Sequence, residues 1–165
     1  MNWRELINGR QSYFNRKDFP VFEIRVDRVS TPAEIFYRPS PEFFQFMAAT
    51  GNQMVYLASP YSSHGSVSAE KAEERARRTA ALTMLLLDNG VNVFSPIVYG
   101  MGFMAKGIKR ETEWWMQRDF KFVEGCDSLA VHCLDKWEES PGIQREMKWA
   151  LSMNKNIFLL EDNHD

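Results

Sequence analysis

Asp119 and Glu146 are the residues of this sequence best placed to do chemistry. Met116, Asp119, Phe120 and Val123 are spaced i, i+3, i+4, i+7, so an acid occupies a slot in the apolar stripe of a helix. Burial tunes the charge state of such an acid, which is what proton transfer needs. The competing reading is an Asp at the stripe's margin, paired with Arg118 or Lys121. Glu146 falls in the first turns of a helix opened by Ser140-Pro141-Gly142. The positive end of a helix dipole keeps a carboxylate ionised there, as a nucleophile must be. The alternative is an ordinary surface Glu beside Arg145 and Lys148. Ser140 and Gly142 frame a helix N-terminus whose free N–H groups suit an anion, although Ser140 is also what any N-cap needs. Ser59, Ser62, Ser63 and His64 offer hydroxyls and an imidazole to a sugar or phosphate, or serve as turn residues, with His64 reading as solvated.

The elements that must position these residues alternate regularly after Gly51. Met54–Ala58 is an apolar run that stops at Ser59-Pro60, as a buried strand would. A helix is expected from about Ser68 to Asn89, with Glu70 in its first turn and Gly90 as its C-terminal cap. Val91–Ser95 reads as a second strand closed by Pro96, and Tyr99 to Gly107 as a glycine-containing loop. A helix from about Glu111 to Glu124 follows, then a strand over Ser128–Leu134, the helix opened by Ser140, and a strand over Asn156–Leu160. Strand and helix in this alternation give an α/β fold: a flavodoxin- or Rossmann-like three-layer α/β/α domain with a parallel sheet of four core strands. Residues 1–50 are aromatic-rich and punctuated by Pro20, Pro32, Pro39 and Pro41. Phe22, Ile24 and Val26 alternate there with Glu23, Arg25 and Asp27, which reads as an edge strand, and Ser40-Pro41-Glu42 opens a short helix. The expected organisation is an extension over 1–50 docked on the sheet of a catalytic domain over 51–165.

In open parallel sheets, ligands bind beyond the carboxyl ends of the strands. Segments 59–64, 95–99 and 135–146 should converge there, with small, polar and aromatic contents. With 165 residues and 44% hydrophobic composition, the chain can form one domain with a full core. A net charge of −2 gives no reason to expect duplex nucleic acid or an anionic membrane as partner. Cys126 and Cys133 read as small buried groups, not a disulfide framework. Three scattered His and no Cys/His cluster argue against structural zinc. The start, Met1 to Glu5, lacks the apolar core of a signal peptide, and no run approaches the ~18–20 apolar residues of a membrane span. A cytoplasmic protein acting on a small molecule is expected.

Two stretches resemble the nucleoside 2-deoxyribosyltransferase-like superfamily. Tyr56-Leu57-Ala58-Ser59-Pro60-Tyr61-Ser62 is similar to its opening strand and loop. Asp119, then Cys126-Asp127 entering a strand, then Ser140-Pro141-Gly142, Glu146 and Ala150 resemble its catalytic run. The stretch from Trp137 to Gly142 is similar to a subfamily of uncharacterised phage and bacterial proteins, which would place the chain in a host cytoplasm if phage-encoded. The resemblance covers roughly Met54 to Leu160. It implies Glu146 as nucleophile at the anomeric carbon, Asp119 as general acid to the departing base, and Tyr56 positioning Glu146 or the sugar. It further implies a substrate site of Ser59, Tyr61, Ser62, Pro96, Trp137, Ser140 and Gly142, in which Trp137 or Tyr61 stacks on the base. No metal or organic cofactor is implied, and the partner is a nucleotide or nucleoside. A homodimer or higher homo-oligomer is implied too.

Six residues before the nucleophile, the superfamily's transferases have Asp, and its deoxynucleoside 5′-monophosphate N-hydrolases have Ser. Ser140 stands there, so the expected function is hydrolysis of the base–sugar bond of a (deoxy)nucleoside 5′-monophosphate. The alternatives are a deoxyribosyltransferase exchanging bases, a non-catalytic nucleotide-binding module and, more remotely, an NAD glycohydrolase. The chain departs from the hydrolases in carrying Ser59 and Ser62 where they have Gly and Arg for phosphate. Arg75, Arg77, Arg78 or Lys106 could compensate, or the three arginines form a helix's wet face. The superfamily's site-closing C-terminal segment has no counterpart after Leu160, and residues 1–50 are expected to replace it as edge strand and lid.

Overall fold

The apolar runs after Gly51 assemble into a four-stranded, all-parallel sheet. The computed structural model describes residues 21–24, 33–36, 41–49, 53–62 and 65–160. In chain order the elements are β1 (Val21–Ile24), β2 (Ala33–Phe36), α1 (Pro41–Ala49), β3 (Met54–Ala58), α2 (Ala69–Asp88) and β4 (Asn92–Phe94). They continue with α3 (Pro96–Ala105), α4 (Thr112–Gly125), β5 (Ser128–His132), a 3-10 turn (Trp137–Glu139), α5 (Pro141–Ser152) and β6 (Asn156–Leu160).

The main sheet runs β4-β3-β5-β6. Strand β3 is therefore central, with Tyr56 beside Phe94 on one side and Leu129 on the other. Period-two alternation divides the strands between two cores. Val55, Leu57, Ala130, Phe158 and Leu160 pack with Leu82 and Leu86 of α2 and Met47 of α1. Tyr56, Ala58, Leu129, Val131, Ile157 and Leu159 pack with Val123 of α4 and with Ile143, Met147, Ala150 and Leu151 of α5. The result is the expected three-layer α/β/α Rossmann-like fold. Counted from β3, the strand order is 2-1-3-4, so the path of the chain reverses between β3 and β5. That reversal makes the crevice beyond these two strands the natural ligand site.

Local signals explain the helices that frame this crevice. Ser68 caps α2 by accepting from the Lys71 N–H at 3.1 Å, and Gly90 turns the chain into β4 at φ 79°. Ser140 caps α5 in the same way through the Ile143 N–H, with Pro141 at the first helical position. The segment read as a loop from Tyr99 to Gly107 is instead mostly helix α3. Ser95 caps it by accepting from the Val98 N–H at 3.2 Å, and Pro96 stands in its first turn. Gly100 lowers helix propensity, and a Cβ there would make only an ordinary contact with the Trp115 ring of α4, at 3.9 Å.

A strand forms over 21–24 and pairs antiparallel with β2. Strand β2 in turn lies against β6, the edge strand of the main sheet, the two remaining separate hydrogen-bonded sheets. Arg25, Val26 and Asp27 lie outside the described residues. Helix α1 does dock, through Met47, on the core beneath α2. No helix among the described residues is long and apolar enough to cross a membrane.

Candidate active site

A cleft of about 530 Å³ opens beyond the carboxyl ends of β3, β4 and β5. Ser59, Tyr61 and Ser62 enter it from the end of β3, and Pro96 and Ile97 from the end of β4. Ser140, Gly142, Arg145 and Glu146 enter from the start of α5. The opposite wall combines apolar Met104, Ile108, Trp115 and Met116 with polar Lys109, Arg110 and Thr112, and it carries Asp119. No described residue before Ser59 lines the cleft, so the lid expected from residues 1–50 finds no support among the described residues. Ser63 and His64 lie outside the described residues.

The two carboxylates meet here. Glu146 is not the surface residue that its first-turn position suggested: it is only 8% exposed. Its burial comes from β3, where the fully buried Tyr56 donates its hydroxyl to Glu146 Oε1 at 2.6 Å, across 90 residues of sequence. Burial, reinforced by the charge of Asp119, pushes the Glu146 carboxyl up to about 8, against the opposing pull of the Tyr56 hydrogen bond and Arg145. The helix dipole therefore does not hold the Glu146 carboxyl at a low pKa; desolvation outweighs it. Burial also lifts Asp119 to about 6, opposed by the Arg145 charge. Tyr56 is pushed well above the ordinary phenol range, by burial first and then by the two carboxylates, so it is a permanent donor.

The competing reading of Asp119 as a margin residue paired on its own helix does not describe its surroundings. Arg118 instead lies 3.8 Å over the Trp114 ring, and Lys121 pairs with Glu124 at 3.3 Å. The counter-charge that Asp119 feels belongs to Arg145 of α5.

Trp137 corrects the expectation of a base-stacking residue: at 4% exposure it belongs to the core beneath the 3-10 turn and does not line the cleft. Tyr61 does line it, with its hydroxyl donating to Met104 Sδ at 3.2 Å. The apolar ring at the wall is Trp115, which nothing in the spacing had singled out. Gly142 faces the cleft with no packing need for a missing Cβ, since only Ser140 Oγ would come within 4 Å, at 3.8 Å. The Ser140 cap engages the Ile143 and Gln144 N–H groups and leaves that of Gly142 for other use. Ser59 Oγ is buried with no hydrogen-bond partner among the described residues.

Arg75 is a second correction. It is not on a wet face but 3% exposed, donating to Tyr61 O at 2.9 Å and Asp135 O at 3.1 Å. It thereby ties the loop after β3 to the loop after β5, the two sides of the switch point. Ala72, Arg75, Ala76 and Thr79 are all buried at i, i+3, i+4, i+7, so the signal that singled out Asp119 was present here too. Arg77 behaves as a wet-face residue, pairing with Glu73 at 3.2 Å, and Lys106 is exposed outside the cleft. Of the two cysteines, both free, Cys126 is buried and Cys133 half-buried. Among the described residues no three His, Cys, Asp or Glu side chains cluster as a metal site would require.

A family model described as a domain of unknown function, DUF1937, matches residues 53–162. The chain belongs to the DUF1937 family. Every residue lining the cleft, and Tyr56 behind it, falls inside the matched region, so the cleft is a property of the DUF1937 domain and not of the preceding extension. No curated protein matches the chain.

Proposed function

We propose that this DUF1937 protein is an N-glycosidase of the nucleoside 2-deoxyribosyltransferase-like kind, hydrolysing the base–sugar bond of a (deoxy)nucleoside 5′-monophosphate. The observation that carries this reading is the pair of carboxyls, buried Glu146 and half-buried Asp119, at one cleft with Tyr56 bonded to the first. Two carboxyls flanking a scissile glycosidic bond are the shared machinery of retaining glycosidases.

In the first step a Glu146 oxygen attacks C1′. The C1′–N bond breaks, its electron pair leaves with the base, and Asp119 gives its proton to that base. In the second step a water molecule attacks C1′ and returns a proton to Asp119. The bond from C1′ to Glu146 breaks and the carboxylate is restored. The cycle needs one proton on the pair. Between about pH 6 and about pH 8 the pair holds one, and burial favours placing it on Glu146. Bound substrate moves it. Positive charge developing at C1′ favours the Glu146 carboxylate, and a lone pair on the base favours a protonated Asp119. The Tyr56 hydroxyl stabilises Glu146 whenever it is ionised.

The phosphate assignment rests on the start of α5, where the Gly142 N–H is left over by the Ser140 cap and a helix dipole favours an anion. Trp115 and Met116 offer the base an apolar wall. The test is chromatography of deoxynucleoside and ribonucleoside 5′-monophosphates, their nucleosides and NAD after incubation with the protein and with Glu146→Gln. Free base formed by the wild type alone is the expected result. Transfer to an added acceptor base would make the protein a transferase. Thermal stabilisation by a nucleotide with no product would make it a binding module.

A further inference from the structure

Arg145 is a charged cleft residue to which the two-step mechanism gives no task. Its Nε is buried and has no hydrogen-bond partner among the described residues. What points to a ligand is that the Arg145 side chain lines the cleft together with Asp119. The position of the guanidinium says which part of the ligand. It lies over the Trp149 ring at 5.6 Å, and Trp149 in turn meets Phe120 of α4 edge-on at 5.1 Å. Arg145 thus belongs to the side of α5 that faces α4, the helix that carries Asp119. In the mechanism above, that is the side of the departing base.

We infer that Arg145 is a leaving-group contact whose guanidinium donates to a carbonyl oxygen of the departing base, making the site selective for oxo-bases over adenine. This inference rests on the glycosidase reading and deepens it. When the C1′–N bond breaks, its electron pair enters the heterocycle. In uracil, thymine, cytosine, guanine and hypoxanthine the resulting charge spreads onto a conjugated carbonyl oxygen; adenine has none. A fixed guanidinium beside that oxygen stabilises the transition state more than the ground state, while the proton from Asp119 completes the departure. The electrostatic pull of Arg145 on Asp119 agrees with this proximity.

The experiment is kcat/KM for wild type, Arg145→Gln and Arg145→Lys on deoxyuridine, thymidine, deoxyguanosine and deoxyadenosine 5′-monophosphates, with melting curves as a folding control. The wild type should favour the oxo-bases. Arg145→Gln should lose about 100-fold on them and only a few-fold on deoxyadenosine monophosphate, with Arg145→Lys intermediate. An equal loss on all four substrates, with or without a displaced pH profile, would reduce Arg145 to an electrostatic or structural role and overturn the inference. So would no loss. A wild type that cleaves none of the nucleotides overturns the glycosidase reading itself, and this inference with it.

Discussion

Two buried polar contacts stand on opposite faces of the same sheet. On the α2 face, Thr79 Oγ1 meets His132 Nδ1 at 3.1 Å, both residues fully buried and neither lining the cleft. On the α5 face, Tyr56 donates to Glu146 at 2.6 Å, and Glu146 forms part of the cleft wall. The first joins a hydroxyl to an imidazole within the core. The second holds an acid that burial drives toward its neutral form, beside a space where a ligand can reverse that. Burial of a polar side chain is therefore a weak sign of function. Burial at the strand-order reversal, opening onto a cleft, is a strong one.

Substitutions on the two faces should separate the contacts, and the largest effect falls on Glu146. Glu146→Gln keeps an acceptor for the Tyr56 hydroxyl and removes the nucleophile, so turnover should drop by about 10³-fold or more while the melting curve stays cooperative. Glu146→Ala also orphans the Tyr56 hydroxyl and should cost about 1–3 kcal/mol in denaturant titrations. Asp119→Asn comes next. It should slow release of unactivated bases by about 10²- to 10⁴-fold and leave bases that depart readily far less affected, as a plot of rate against leaving-group pKa would reveal. Full activity in Asp119→Asn would remove it as the general acid.

Effects of pH are smaller and run in a defined direction. Glu146 is raised from 4.5 to about 8 and Asp119 from 3.8 to about 6. The folded chain then holds protons that the unfolded chain has already released. Their contribution to stability is full below about pH 4 and is lost as pH rises through about 8. Denaturant titrations should show the wild type losing stability between pH 6 and 8 relative to Glu146→Gln. In the same range kcat/KM should be bell-shaped, its limbs belonging to the pair and not to either residue alone. The smallest effect is expected on the other face: Thr79→Val should cost about 1 kcal/mol of stability and leave kcat/KM within twofold.

The difference between the faces also marks where sequence reading succeeds. Strands such as Met54–Ala58 and Asn156–Leu160 were legible because a parallel strand buried on both faces is a short, unbroken apolar run. Asp119 was legible because it breaks a helical stripe. Arg75 breaks one equally, but an arginine among arginines reads as solvated until the carbonyls of Tyr61 and Asp135 are seen around it. Glu146 was found by its motif, yet its burial was not, because burial is conferred by Tyr56 from a distant strand and local spacing carries no trace of that. Trp137 fell the other way: an aromatic ring in a motif was assigned to substrate, whereas the hydrophobic effect claims it for the core. Helix α3 was hidden by Gly100 and Gly102, although Ser95-Pro96 repeats the start signal that revealed α5 at Ser140-Pro141.

The covalent step is the most direct point of attack. A nucleotide analogue bearing fluorine at C2′ slows breakdown of a glycosyl-enzyme by destabilising the oxocarbenium-like transition state. Intact mass spectrometry of the protein after brief incubation should show one added glycosyl 5′-phosphate. Peptide mapping should place it on the peptide carrying Glu146, and Glu146→Gln should show none. Product release with no adduct, or an adduct on another residue, would contradict Glu146 as the nucleophile.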